Sequence, residues 1–433
     1  MVTFIADIKP ELAGQEVVLR GWVSNLRFSG PIAFLNLRDG SGYMQVVAEK
    51  AKLSDKIWTD LEALNLESSL EITAKVSIHP KKADECELQL SDLKVVHINK
   101  AEYPISNKEH GVDFLLDNRH LWLRSKRQWA IQRVRNTIIN ATYEFFKANR
   151  FIKIDAPILT PNSCEDTTEL FELEYFDLGK AYLSQSGQLY IEAAMFAHNR
   201  VFDFGPVFRA EKSKTRRHLI EFWMMDAEMA FVEHDENMDW QEKLIKFVVK
   251  SVLENNSADL LVLERDVKPL ENVVNKDFAR IHYSEAVKQL QKLGSDIKDG
   301  EDFGADDETM LTNSYDVPIF VDRYPAVIKS FYMPEDPNMP GYVLGNDLLA
   351  PEGYGEVIGG SQRIADYDLL KAKIEAHNYN MKDWQWYLDL RQYGSVPHSG
   401  FGYGLERLVS WICHLDHVRE TIPFPRLLTR ISP

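Results

Sequence analysis

The chain has 433 residues, too many for one ordinary hydrophobic core, so two domains are expected. Hydrophobic residues make up 45% of the chain and charged residues 27%, a composition that excludes a disordered or fibrous protein. The formal net charge of −16 argues against indiscriminate nucleic-acid binding, because the phosphate backbone would be repelled. It does not exclude a protein that concentrates its lysine and arginine on one face.

The chain shows no sign of export or membrane insertion. No apolar stretch approaches the roughly 18 to 20 residues of a membrane span, and the start, MVTFIADIKPEL, lacks the pattern of a signal peptide. The three cysteines, Cys86, Cys164 and Cys413, have neither metal-ligand spacing nor a disulfide framework. We therefore expect a cytoplasmic protein that does not bind membranes.

The first hundred residues carry short runs of alternating apolar and polar residues, such as VVLRGWVSNL and LEITAKVSI, separated by turn residues. About five such runs predict a small β-barrel over residues 1–100. The polar segment over residues 101–117 has no sustained period and is interpreted as a linker.

The second predicted domain covers residues 118–433. The stretch SKRQWAIQRVRNTIINATYEFFKANRF has apolar residues at helical spacing and is followed by the strand-like FIKIDAPILT. Residues 240–310 mix helical patterns with acidic runs and are interpreted as a solvated insertion without assigned chemistry. The rest of the chain alternates strands with glycine-rich turns. The predicted fold class is α+β.

Three blocks carry candidate chemistry. In FGPVFRAE, Arg209 follows an apolar strand and can present its planar fork to phosphate, although a charged surface hairpin would look the same. In GYGLERL, Arg407 lies in the first turn of a helix after glycines, a pattern shared by plain turns. In DLLAPEGYGEVIGGSQR, Asp347 and Glu356 can share a magnesium ion from neighbouring strands, or be solvated acids.

In this order the blocks resemble the signature motifs of class II aminoacyl-tRNA synthetases. Pro157 in KIDAPILT resembles motif 1, FRAE motif 2 and GLERL motif 3. The barrel is similar to the OB-type anticodon-binding domain of the aspartyl, asparaginyl and lysyl subgroup. Several strings resemble the asparaginyl members: GVDFLLDNRHLWLRS, RHLIEFWMMDAEMAF, WYLDLRQYGSVPHSGFG and IPFPR.

The resemblance covers nearly the whole chain apart from residues 240–310. It implies a class II catalytic domain, an antiparallel sheet flanked by helices, and a homodimer built through motif 1. It also implies the ATP-dependent attachment of asparagine to tRNA(Asn) through an asparaginyl-adenylate, with release of AMP and pyrophosphate. In that reaction arginine and magnesium can reduce the repulsion between two anions without a general base or a covalent nucleophile.

The resemblance also implies residue roles. Arg209 is expected to hold the α-phosphate and Arg407 the far phosphates, as catalytic groups. Asp347 and Glu356 are expected to bind Mg²⁺. The remaining expected contacts are Glu211, His218 and Phe222 with ATP, Glu165, Ser186 and Gln188 with the α-amino group, and Arg363 with the side-chain oxygen.

Asparagine and aspartate are nearly isosteric, so the pocket must distinguish an amide from a carboxylate. Aspartyl enzymes typically carry a lysine in the segment over residues 185–192, and this chain has none there. Glu192 or Asp226 can instead accept a hydrogen bond from the amide and repel aspartate, and the sequence leaves both acids open. A non-discriminating aspartyl-tRNA synthetase and a tRNA-independent asparagine synthetase paralogue remain alternatives.

The barrel carries three candidate RNA contacts. Phe34 and Gln45 lie on predicted neighbouring strands, where an exposed aromatic can stack under a base while an amide reads its edge. The matching positions of the subgroup read the central anticodon base, so we expect Phe34, Gln45 and Arg27 to contact the anticodon. A core phenylalanine and a surface arginine are the alternatives.

Overall fold

The computed structural model describes residues 2–106, 108–161, 164, 169–213, 215–377 and 379–433. The chain folds as two compact units, Met1–Gly111 and Val112–Pro433. Every helix within the described ranges is too short or too polar to cross a bilayer.

The first unit is a closed five-stranded barrel. Its elements are β1 (Glu16–Ser29), β2 (Ile32–Arg38), β3 (Tyr43–Glu49), α1 (Asp55–Glu62), β4 (Ser69–His79) and β5 (Lys82–His97). Apolar side chains alternate along the barrel strands. Every second side chain, such as Leu35 and Leu37 of β2, is therefore fully buried inside the closed barrel. The neighbour order is β1–β2–β3–β5–β4, and β3 and β5 pair in parallel.

The second unit is built on an eight-stranded sheet. Its strands are β6 (Ile152–Lys153), β10 (Arg200–Phe208), β11 (Glu221–Ala230), β12 (Ala279–His282), β13 (Ile319–Asp322), β16 (Gly345–Ala350), β17 (Gly355–Gln362) and β18 (His398–Gly404). The small strands outside it are β7 (Leu159–Thr160), β8 (Glu172–Glu174), β9 (Lys180–Leu183), β14 (Glu335–Asp336) and β15 (Met339–Val343). The order in the large sheet is β12–β13–β16–β17–β18–β11–β10–β6.

The strands from β13 to β10 in that order pair antiparallel, and each edge adds one parallel strand. Helices surround the sheet: α2 (Val112–Asp117), α3 (Arg119–Trp122), α4 (Lys126–Ala148), α5 (Gln188–His198), α6 (His234–Asn255), α7 (Ser257–Val262), α8 (Lys268–Asn275), α9 (Tyr283–Leu293), α10 (Ala305–Thr312), α11 (Tyr367–Ala376), α12 (Met381–Gln392) and α13 (Leu405–Ile412). The predicted α+β class is confirmed.

The helix predicted from apolar spacing is α4, which begins after Ser125, whose hydroxyl accepts a hydrogen bond from the Gln128 amide. Part of the segment expected to be solvated contributes to the core instead. Leu244 and Val248 of α6 are fully buried in the same cluster as α4. Their spacing of one helical turn places both on the face toward the sheet.

Glycines leave one face of β18 bare beside β11. Glu228 pairs with Gly400 and Asp226 with Gly402, while Gly404 continues the same face. A Cβ on Gly400 would lie 2.1 Å from Glu228 Oε1, and one on Gly402 would lie 2.3 Å from Asp226 Oδ1. The absence of side chains therefore lets two acids of β11 lean over β18.

Candidate functional site

A cavity of about 600 Å³ lies over this glycine face. Its wall includes most of the residues that the sequence predicted: Ser186, Gln188, Arg209, Glu211, His218, Phe222, Asp226, Asp347, Glu356, Arg363 and Arg407. Glu165 lies outside the described residues, and Glu192 does not line the cavity. Blocks far apart in sequence therefore meet in one place.

One end of the cavity has two arginines beside an aromatic ring. Arg209 directly follows β10, and its guanidinium carbon lies 5.9 Å from the centroid of the Phe222 ring. Arg407 lies in the first turns of α13, and its Nη1 donates to Glu356 Oε2 (2.9 Å) and to the Glu356 carbonyl (3.1 Å). Planar cationic forks next to a partly buried aromatic ring suit phosphates attached to a base.

Helix α10 contacts two residues that line this end of the cavity, Arg217 and Glu356, although the sequence assigned residues 240–310 no chemistry. Glu308 Oε2 accepts hydrogen bonds from Arg217 Nη1 (2.5 Å) and from the Glu356 amide (3.0 Å). Burial and the nearby Glu356 raise the pKa of Glu308 to about 7, against the opposing effect of Arg407. Sequence reasoning missed both Arg217 and Glu308.

Asp347 on β16 and Glu356 on β17 point one oxygen each into the same space. A Cβ on Gly359 would lie 3.4 Å from Glu356 Oε1 and 3.8 Å from Asp347 Oδ1. The other Asp347 oxygen accepts from Lys329 Nζ (2.7 Å). Burial raises the pKa of Asp347 to about 6 although Lys329 opposes the shift. Two converging carboxylates fit a hard divalent cation.

The described residues contain no group of three or more candidate metal-ligating side chains. A cation held by Asp347 and Glu356 would therefore take its remaining ligands from phosphate oxygens and water, as Mg²⁺ commonly does.

The opposite end of the cavity is organised around Asp226. Its Oδ2 accepts hydrogen bonds from the Ser186 hydroxyl (2.9 Å) and the Gly187 amide (3.0 Å). The Ser186 hydroxyl oxygen in turn accepts from the Gln188 amide at the start of α5 (3.0 Å). The side-chain Nε2 of Gln188 is buried without a hydrogen-bond partner among the described residues. A polar ligand can satisfy this donor.

Arg363 lines the same end and is held in a fixed direction. Its Nε (3.1 Å) and Nη2 (2.5 Å) donate to Glu228 Oε1, and its Nη1 donates to the Ser361 hydroxyl (2.6 Å). Glu228 is fully buried, and its pairing offsets the charge of the guanidinium. Glu228 was not among the residues that the sequence predicted, although two-residue alternation along β11 places it on the same face as Asp226.

The structure corrects the expected position of Glu192. Its carboxylate is fully buried, and Tyr387, Arg391 and His398 contact it from α12 and β18. With these partners and no place in the cavity wall, it does not offer an acceptor to a ligand there. Of the two candidate acids, Asp226 lines the cavity and Glu192 does not.

The titration of Asp226 leads to a pH prediction. Burial, with the carboxylates of Asp203 and Glu228, raises the pKa of Asp226 to about 7, against hydrogen bonds from Ser186 and Gly187. The folded protein thus keeps a proton that the unfolded chain loses near pH 4, so this group lowers stability as pH rises from about 4 to about 7.

The unaltered protein is expected to lose stability from about pH 4 to about pH 7 because of Asp226, and Asp226→Asn is not. The unfolding free energy of the variant minus that of the unaltered protein should therefore increase by on the order of 2 kcal/mol over this pH range. Urea unfolding at both pH values measures this difference. The exposed acid Asp368 provides a control, because Asp368→Asn should leave the pH dependence unchanged. A constant stability difference for Asp226→Asn at both pH values would contradict the assignment.

The barrel brings the three predicted RNA contacts to one face. Phe34 points outward between the buried Ala33 and Leu35, and the Arg27 guanidinium carbon lies 4.3 Å from its ring centroid. Gln45 Nε2 on β3 donates to Glu87 Oε2 on β5 (3.1 Å). Phe34 is therefore a surface residue of the barrel and not part of its core.

Each of the two units matches a known protein family. The family model for class II tRNA synthetases (D, K and N) matches residues 111–428, and the model for the OB-fold nucleic acid binding domain matches residues 17–96. The asparagine–tRNA ligase of Lactobacillus johnsonii is 51% identical over 97% of this chain and 96% of its own length. That of Thermus thermophilus is 51% identical over 100% of both chains.

Among solved structures, the asparaginyl-tRNA synthetase of Pyrococcus horikoshii complexed with asparaginyl-adenylate superimposes with a TM-score of 0.95. It is 42% identical, and the match covers 100% of both chains. With this likeness over its whole length, the chain belongs to the class II aminoacyl-tRNA synthetases of the aspartyl, lysyl and asparaginyl group, within its asparaginyl branch.

Proposed function

We propose that the chain attaches asparagine to tRNA(Asn) at the expense of ATP, through an asparaginyl-adenylate. One observation carries the proposal: a single cavity joins an end with two arginines and an aromatic ring to an end lined by Asp226 and Arg363. Nucleotide and amino acid can thus bind side by side. The relatives named asparagine–tRNA ligase support the choice of substrate.

In the first step an oxygen of the asparagine carboxylate attacks the α-phosphorus of ATP, and the bond to the bridging oxygen of pyrophosphate breaks. Arg209 would hold the α-phosphate and Arg407 the departing phosphates, while Phe222 stacks on adenine and Glu211 and His218 contact the nucleotide. The attacking carboxylate is already ionised, so no general base is needed. Positioning and charge stabilisation supply the catalysis.

Asp347 and Glu356 would hold Mg²⁺, since each directs one oxygen toward Gly359. The ion would neutralise charge that builds on the phosphate oxygens. Lys329 and Arg407 each engage the other oxygen of these carboxylates and fix their orientation.

The amino-acid end distinguishes an amide from a carboxylate. Arg363 would donate to the side-chain carbonyl of asparagine, and Asp226 would accept from its amide nitrogen. Because Glu228 already pairs with Arg363, the guanidinium offers little net charge to attract the carboxylate of aspartate. Ser186, Gln188 and Glu165 would contact the α-amino end, Glu165 by family resemblance alone.

In the second step the terminal ribose hydroxyl of tRNA attacks the adenylate carbonyl carbon, and AMP leaves. The outward face of the barrel with Arg27, Phe34 and Gln45 would bind the anticodon. Stacking on an aromatic side chain contributes roughly 1 to 3 kcal/mol per base.

Phe34→Ala is therefore expected to raise the KM for tRNA by about tenfold or more while tRNA-independent adenylate formation stays unchanged. Aminoacylation at varied tRNA concentrations and pyrophosphate exchange measure the two quantities. Phe4, a 59% exposed aromatic of the same unit, gives the matched control Phe4→Ala. An unchanged KM in Phe34→Ala would remove this residue from the RNA surface.

The experiment that tests the function is ATP–pyrophosphate exchange with asparagine and with aspartate in parallel, followed by aminoacylation of tRNA(Asn). Exchange that depends on asparagine and is much faster than with aspartate is expected. Faster exchange with aspartate would overturn the substrate, and release of free asparagine from aspartate and ammonia would overturn the reaction.

We also propose that the enzyme is a homodimer that acts in the cytoplasm. The motif 1 segment exposes Ile152 (46%), Ile158 (45%) and Leu159 (42%) around Pro157, a surface that a second copy can cover. Neither Cys86 nor Cys413 forms a disulfide within the described part of the chain, which suits a reducing compartment. Light scattering that gives the mass of a single chain would contradict the dimer.

A further inference from the structure

The string WYLDLRQYGSVPHSGFG, over residues 386–402, contains polar side chains that the proposed chemistry does not use. Tyr387 and Arg391 of α12 and His398 of β18 are buried and converge on Glu192 of α5. The Tyr387 hydroxyl donates to Glu192 Oε2 (2.7 Å), His398 Nε2 lies 2.9 Å from Glu192 Oε1, and Arg391 Nη2 pairs with the same oxygen. Three elements thus meet at one carboxylate.

This cluster is costly to bury, and stability alone does not account for it. Desolvating a carboxylate and a guanidinium costs several kcal/mol, and apolar residues of equal volume often stabilise a fold as well. The Glu192 and Arg391 side chains are both 0% exposed. The charged groups are therefore expected to hold another part of the site in place.

Two members of the cluster hold the main chain at Arg363. Arg391 Nε donates to the carbonyl of Ile364 (2.8 Å), on one side of Arg363. The amide of Arg363 itself donates to the carbonyl of His398 (2.9 Å), on the other side. The backbone that carries the Arg363 side chain is thus fixed by two residues that Glu192 binds directly.

The guanidinium end of Arg363 has its own supports, Glu228 and Ser361. Those contacts set the direction of the fork, whereas its depth in the cavity depends on where the Cα lies. A displacement of about 1 Å at a substrate contact can cost on the order of a hundredfold in activity. The cluster around Glu192 supplies two of the main-chain hydrogen bonds beside that Cα, next to those from the Gln362 amide to Leu344 and from the Ile364 amide to Tyr332.

We infer that Glu192 is a positioning residue for asparagine recognition, which acts through Arg391 and His398 on the main chain of Arg363. The inference rests on the proposed activation of asparagine and deepens it. It assigns the string over residues 386–402 to the amino-acid end of the cavity and not to the nucleotide end.

The test is Glu192→Gln, which keeps the volume and removes the charge. It should raise the KM for asparagine in pyrophosphate exchange by about tenfold or more and leave the KM for ATP within about twofold. Tyr387→Phe removes one hydrogen bond to the same carboxylate and should shift the KM for asparagine in the same direction by less. If Glu192→Gln does not fold, the KM for asparagine of Tyr387→Phe alone tests the positioning role of Glu192.

Glu352→Gln is the matched control, because Glu352 also pairs with a buried arginine, Arg265 (2.8 and 2.6 Å). It should lower the melting temperature without changing the KM for asparagine. If the Glu192 variant behaves like this control, or raises both KM values equally, the inference is overturned. An unaltered enzyme without asparagine-dependent exchange would instead overturn the proposed function, before any variant is measured.

Discussion

Arg407→Ala is expected to reduce asparagine-dependent pyrophosphate exchange by about 10²- to 10³-fold, the usual effect of removing one charge-stabilising donor. Arg407 would grip the departing phosphates, and it also pairs with the oxygen of Glu356 that does not face Gly359. Its loss would therefore remove a phosphate contact and leave the Glu356 carboxylate, whose side chain is 35% exposed, without this partner. Both effects raise the KM for ATP and lower kcat.

Arg407→Lys separates the two roles of the side chain. Lysine keeps the charge but not the planar fork, so activity should recover only in part. Arg133→Ala, which removes an arginine with a 43% exposed side chain on α4, should leave exchange unchanged. Exchange by Arg407→Ala within about twofold of the unaltered enzyme would contradict the role of Arg407 in catalysis.

Glu228→Gln is the second change with a large expected effect. Exchange with asparagine should fall by about tenfold or more, and the preference for asparagine over aspartate should shrink by a similar factor. The reason is electrostatic: without the carboxylate of Glu228, the full charge of Arg363 becomes available to the carboxylate of aspartate. kcat/KM for both amino acids measures the preference.

Ser361→Ala is the control for Glu228→Gln, because it removes a hydrogen bond from the same guanidinium without a change of charge. It should weaken activation of the two amino acids by similar factors. An unchanged preference in Glu228→Gln would show that the pairing of Arg363 does not govern the choice of substrate.

The barrel and the main helices could be predicted because their periods reflect burial directly. Alternation in β2 and turn-spaced apolar residues in α4 are visible in the sequence. The strand expected in FIKIDAPILT forms only the two short strands β6 and β7, one on each side of Pro157. Proline lacks the amide hydrogen that would continue a ladder.

The site was predictable where a motif carries its own chemistry, as for Arg209 and Arg407. It was not predictable where a role depends on tertiary contacts. Glu308 contributes because α10 folds back against β17, and no local pattern shows that. Glu192 and Glu228 are both acids near the expected pocket. Their different positions follow from tertiary contacts: Glu192 on α5 bonds Tyr387 of α12, whereas Glu228 on β11 bonds Arg363.

The glycine face of β18 limits how the substrate range of this enzyme can be redesigned. At Gly402 and Gly404 the cavity wall already consists of backbone alone, so no atoms remain there to trim for a bulkier amino acid. Extra room would have to come from Asp226 and Glu228 on β11 or from Arg363 just after β17, the residues that we propose to provide the selectivity. Enlarging the pocket and relaxing its discrimination would therefore be coupled, and a methyl group added at Gly402 would displace Asp226, because the new Cβ would lie 2.3 Å from Asp226 Oδ1.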